Sequence, residues 1–131
     1  MSATTAILAG QRAAEALMLD QVLVERRTGE TTDPETGRVT PTWTTVYSGP
    51  CKVQQAAADG SPENVGEATV MASSLVLHLP ISATGVTADD RATITTATLD
   101  PDLAGRVFTC RAPMHKTFAT ARRLPLQELS S

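Results

Sequence analysis

Apolar positions fall at helical spacing near the N-terminus and at strand spacing through most of the remaining chain. Ile7, Leu8, Gln11, Ala14, Leu17 and Met18 lie close to one face of a helix over residues 3–19, with Thr4 or Thr5 available as the N-cap. The stripe is narrow, which suits a helix leaning on a sheet or a neighbouring subunit. From Gln21 the pattern changes. Residues 22–27 read as a strand entering a hairpin loop over 28–38, where Asp33-Pro34 favours a turn and Gly37 supplies a positive φ. The return strand runs over 42–47, placing Trp43, Thr45 and Tyr47 on one face, and Ser48-Gly49-Pro50 is expected to break it. Residues 51–54 read as a third strand with Cys51 and Val53 inward and Lys52 and Gln54 outward.

Four further strands are legible at 73–80, 91–97, 106–111 and 121–128, each bounded by turn residues such as Thr84-Gly85, Asp89-Asp90, Asp100-Pro101-Asp102 and Pro113. Many short strands and a single helix predict a mainly β chain: a small antiparallel β-barrel or sandwich with an N-terminal α-helix and a long flexible loop. The organisation expected is a helix over 1–20, then one barrel-like domain over 21–131 with the loop at about 55–68. That loop is rich in Gly, Pro, Ser and Asn and nearly free of large apolar residues, so it adds little to a core. Loops this long are uncommon in a compact domain and are often functional. Gln55, Asp59, Gly60, Ser61, Pro62, Glu63, Asn64 and Glu67 are therefore its candidate partner-contacting residues, against the alternative of a tolerated surface insertion.

Composition narrows the chemistry. A chain of 131 residues has room for one core, and with 3% aromatics that core must be built from Val, Leu, Ile and Ala. A formal net charge of −3 argues against general affinity for nucleic acid, which rests on clustered Lys and Arg. No apolar run approaches the roughly 20 residues of a membrane span, so a soluble, intracellular chain without a membrane partner is expected. Cys51 and Cys110 show no Cys-x-x-Cys spacing, and His78 and His115 stand in no metal-binding motif. No metal or cofactor is expected. His78 alternates with Leu75, Leu77 and Leu79, which places it with Val76 on the opposite face as a surface residue.

Asp89-Asp90 and Asp100-Pro101-Asp102 sit in turns, where Asp bonds nearby amides, and this accounts for them better than acid–base catalysis does. Ser48 and Ser61 lack a nucleophile-elbow context, so no catalytic residue is assigned and no enzymatic activity is expected. Arg26-Arg27 and Arg122-Arg123 are the adjacent basic pairs, and in a strand one member of each must pair with a carboxylate, reach a sheet edge or meet another subunit. All four are candidate interface charges, with protection of strand edges as the competing reading.

The order of these features resembles the head-to-tail joining, or head-closure, connector proteins of long-tailed phages, particularly those infecting actinobacteria. The resemblance rests on Val22-Leu23-Val24-Glu25-Arg26-Arg27 and Thr42-Trp43-Thr44-Thr45-Val46-Tyr47-Ser48-Gly49-Pro50-Cys51-Lys52-Val53, then Leu75-Val76-Leu77-His78-Leu79-Pro80. It is completed by Asp100-Pro101-Asp102-Leu103-Ala104-Gly105-Arg106-Val107-Phe108 and Thr117-Phe118-Ala119-Thr120-Ala121-Arg122-Arg123-Leu124. Asp89-Asp90-Arg91 departs from the Gly-Asp turn common there. The resemblance implies a virion protein of the neck, assembled in the host cytoplasm. Its copies would form a homo-oligomeric ring between a portal or adaptor and a tail terminator or tail tube protein, with genomic DNA only as cargo in the channel. A tail terminator or adaptor subunit is the nearest alternative. An OB-like binding module is a more distant one, since Trp43, Tyr47, Phe108 and Phe118 offer little stacking surface once two of them serve the core.

Overall fold

The computed structural model describes residues 2–56, 63–65, 68–70 and 74–128. Helix α1 spans Ala3–Ala16 and is capped by Ser2, two positions before Thr4, because the Ser2 hydroxyl accepts from the Thr5 amide at 3.1 Å. No α1 residue is buried. The helix leans on the body through Gln11, whose Nε2 donates to the Ala119 carbonyl at 3.1 Å, and through Gly10, where a Cβ would stand 3.0 Å from the Thr120 methyl. Met18, just beyond the helix, is buried.

Strands β1 (Asp20–Thr32), β2 (Val39–Ala56), β5 (Ser74–Leu79), β8 (Arg122–Glu128), β7 (Val107–Cys110) and β6 (Arg91–Thr96) close in that order into an antiparallel barrel. The seam between β1 and β6 pairs Val22 with Ile94 and Val24 with Ala92. Alternation does the packing: Val22, Val24, Cys51, Leu77, Leu79, Ile94, Phe108, Cys110 and Leu124 all point inward and are at most 1% exposed. The barrel is thus filled by side chains, as a barrel of this size must be. The fold expected from the residue pattern is the fold observed, and Cys51 and Val53 do face the core.

Several boundaries differ. Ser48-Gly49-Pro50 does not end a strand: β2 continues through it, pairing Ser48 with Leu23, Gly49 with Val22 and Pro50 with Gln21. The glycine leaves room for the Tyr47 ring, whose hydroxyl would lie 2.8 Å from a Cβ at position 49 and donates instead to the Pro50 carbonyl at 2.7 Å. A bulge interrupts the register where Val24 pairs with Tyr47 and Glu25 with Thr45, leaving Val46 extra. In consequence Tyr47 and Val46 both pack against the core while Thr45 is exposed, so Trp43, Thr45 and Tyr47 do not share a face.

The expected loop over 28–38 is shorter than its composition implies. β1 runs on to Thr32, opposite Val39, because the intervening threonines are β-branched and favour strand. The turn itself uses the residues anticipated: the Gly37 amide donates to the Asp33 carbonyl at 2.8 Å, and Gly37 has φ 72°. The segment at 55–68 is not wholly structureless, since Gln55 belongs to β2 opposite Leu75, and β3 (Glu63–Val65) pairs with β4 (Ala68–Val70) as a small separate hairpin. A one-turn 3₁₀ helix, Pro101–Leu103, is capped by the Asp100 carboxylate, which accepts from the Asp102 amide at 3.0 Å.

His78 is not a surface residue. It lies on the face expected, opposite Leu77 and Leu79, but it is only 9% exposed.

Candidate functional site

The β1–β2 hairpin outgrows the barrel. β1 pairs with β6 only as far as Glu25, and β2 pairs with β5 only from Lys52 onward, so both strands continue beyond those contacts as a two-stranded arm. From Thr28 to Thr42 every residue of the arm is exposed, and Val39 is its one large apolar side chain. At the tip, Asp33 is held below the usual carboxylate range, chiefly by the Glu35 amide that donates to it at 2.9 Å. Asp33 and Glu35 are exposed carboxylates there, with Arg38 on the return.

Two clamps fix the arm at its root, one on each face of β1, since successive strand residues point to opposite sides. On the inner side Arg26 makes a two-pronged contact with Asp90, Nε to Oδ1 and Nη2 to Oδ2, both at 2.9 Å. The same guanidinium reaches the Gly85 carbonyl at 2.7 Å, and the Thr87 amide donates to Asp90 Oδ2 at 2.9 Å. Asp90, 2% exposed, thus anchors Arg26 while also serving its turn. On the outer side Arg91 bonds Glu25 at 2.9 Å and stacks over Trp43, its guanidinium carbon 3.6 Å from the ring centroid.

A second feature lies on the outer face of the barrel. Lys52, His78 and Arg123 are direct cross-strand partners on β2, β5 and β8, and so form one row pointing away from the core. Burial, followed by the charges of Lys52 and Arg123, pushes the His78 imidazole down to about 4, so at neutral pH it sits uncharged between two cations. Among the described residues neither Lys52 nor Arg123 has a carboxylate within ion-pair distance.

The four candidate interface arginines therefore part company. Arg26 is bound to Asp90 of its own chain, and Arg27 to Glu30 three residues on. Arg122 donates to the Ile81 carbonyl at 3.0 Å and to His115 Nδ1 at 3.1 Å. Arg123 takes part in the outward row. Of the loop candidates, Gln55 is exposed on β2, and Glu63 and Asn64 lie on β3. Asp59, Gly60, Ser61, Pro62 and Glu67 lie outside the described residues.

Asp90, Arg91 and Lys52 escape sequence reasoning as partners because the contacts that give them meaning span long stretches of chain. A signal for the row does exist: two outward positions of adjacent strands, both basic or imidazole. Among the described residues no group of three His, Cys, Asp or Glu side chains converges on a metal-sized site, and no helix is long and apolar enough to cross a membrane. Cys51 and Cys110 are buried thiols pushed up to about 12, mainly by desolvation.

The solution structure of protein SF1141 from Shigella flexneri 2a is similar, with a TM-score of 0.55 and 19% identity over 85% of this chain and 92% of that one. At that identity the likeness concerns the fold. No curated protein matches. The model of a family of unknown function, DUF6093, matches residues 10–127, and the chain belongs to that family.

Proposed function

We propose that this chain is a virion structural protein, a head-to-tail connector (head-closure) subunit that forms a ring between portal or adaptor and tail. The observation that carries the reading is the arm: a small closed barrel holds a long, exposed hairpin at its root and, among the described residues, leaves it without a partner in its own chain. Polar arms of this kind serve contact between subunits, because an isolated two-stranded ribbon gains little stability from projecting into water. Helix α1, with no buried residue, offers a second contact surface. Within this reading the chain has no enzymatic role, the neck of the virion is its location, and DNA is cargo in a channel continued by the ring. The acidic segment around Asp59, Glu63 and Glu67 is the element that narrows the channel, its charge keeping DNA from adhering.

A tail terminator or adaptor subunit of the same assembly is separated from this reading by which neighbour binds. Mass photometry of the full chain at micromolar concentration, alone and with portal, adaptor or tail tube protein, tests the proposal. A ring, or a complex with portal or adaptor, supports it. A chain that stays monomeric with all of them and binds single-stranded DNA overturns it.

A further inference from the structure

The row Lys52–His78–Arg123 poses a physical problem. Like charges on neighbouring strands repel, and here two cations flank a third basic group in direct register. The described residues of the chain supply no carboxylate to offset them. The arm tip poses the complementary problem. Asp33 and Glu35 are exposed carboxylates set against one neighbouring cation, Arg38, so the tip is net acidic. The tip turn and Lys52, the row's first member, lie toward opposite ends of one strand, β2. Thirteen steps of about 3.3 Å separate Val39 from Lys52, on the order of 40 Å along the strand, so a tip does not reach the row of its own chain.

We infer that the acidic arm tip of one copy docks on the Lys52–His78–Arg123 row of the next copy. The inference rests on the ring reading and supplies its contact. Two different patches joined in this way make a heterologous interface, which propagates head to tail and closes into a ring when the rotation allows. The match is one of number as well as sign: Lys52 and Arg123 stand two strands apart, about 10 Å, and face two carboxylates two residues apart. His78, buried and uncharged between them, adds no third cation to the patch. Nucleic acid fits the row less well. Two cations on a chain of net charge −3 neutralise few phosphates, and nonspecific affinity for nucleic acid rests on how many are neutralised.

The test uses the full chain and three variants: Lys52→Glu/Arg123→Glu, the milder Lys52→Gln/Arg123→Gln, and Asp33→Asn/Glu35→Lys, which keeps a turn-forming side chain at position 33. Self-association is read by sedimentation velocity, folding by circular dichroism, and binding of a duplex oligonucleotide in parallel. Each variant alone is expected to self-associate at least tenfold more weakly than the wild type, and an equimolar mixture of the two reversed variants to recover association. If the wild type assembles and the variants assemble as well as it does, the docking is wrong while the ring reading stands. If the wild type stays monomeric with and without portal or adaptor, the ring reading fails and the docking with it. Loss of oligonucleotide binding in the row variants, with self-association intact, assigns the row to phosphate and overturns the proposal.

Discussion

The His78 side chain makes the stability of this barrel depend on pH in a calculable way. The ordinary imidazole value is 6.5, and in the fold burial and the flanking cations bring it down to about 4. The unfolded chain therefore takes up the proton first. The contribution to stability is complete above the ordinary value, declines as pH falls through the interval from 6.5 to about 4, and levels off below it. Linkage gives a loss of roughly 2 kcal/mol on going from about pH 7.5 to about pH 5, which for a domain of this size lowers the melting temperature by roughly 8 °C. The perturbation is His78→Gln, which keeps a polar side chain of similar reach and removes the titration. Urea unfolding of both proteins at the two pH values isolates the effect, because carboxylates that titrate in both cancel in the difference. The wild type is expected to lose about 2 kcal/mol more than the variant over that range. Equal losses, within about 0.5 kcal/mol, would refute the reasoning, as would an NMR titration of the wild-type His78 ring at the ordinary value.

Three further outcomes are expected. Asp90→Ala removes a buried acceptor of three hydrogen bonds and strands the Thr87 amide, lowering stability by about 2 kcal/mol, whereas Asp90→Asn, which still accepts from Thr87, loses less; urea melts at neutral pH compare them. Phe118 is 62% exposed and holds φ at 64°, a conformation costly for an aromatic residue, so Phe118→Asn should leave the barrel intact and raise stability by up to about 1 kcal/mol in the same assay. Cys51 and Cys110, buried and with raised thiol values, should resist a thiol reagent at mildly alkaline pH in the native protein and react in urea; rapid native labelling would show that the barrel opens locally.

Strand existence is legible because it depends on short-range alternation. Leu75, Leu77 and Leu79 face one way and Val76 and His78 the other, whatever packs around them. Strand ends are less legible. Ser48-Gly49-Pro50 has the composition of a break, yet it is retained in β2 because Gly49 accommodates the Tyr47 ring and Pro50 supplies that ring's acceptor, a fit no local propensity encodes. The exposure of His78 depends on its surroundings in three dimensions, so its face can be read from the chain and its burial cannot. The candidate site divides in the same way. Alternation alone places Lys52 outward, while the row needs the register among β2, β5 and β8. The Arg26–Asp90 clamp joins residues 64 positions apart, and neither half announces the other.

The two clamps at the root of the arm bear on how force passes through the molecule. Glu25 and Arg26 grip opposite faces of β1, one through Arg91 and Trp43 and the other through Asp90, while β2 continues from the tip into the barrel wall with one bulge at Val46. A pull along the arm thus loads the β1–β2 and β1–β6 ladders lengthwise, so that many hydrogen bonds share the tension instead of parting one after another. A sideways push at the tip is resisted at once by an ion pair on either side of the strand. The hairpin behaves as a cantilever built into its wall, and strain applied at its end is delivered to the filled core.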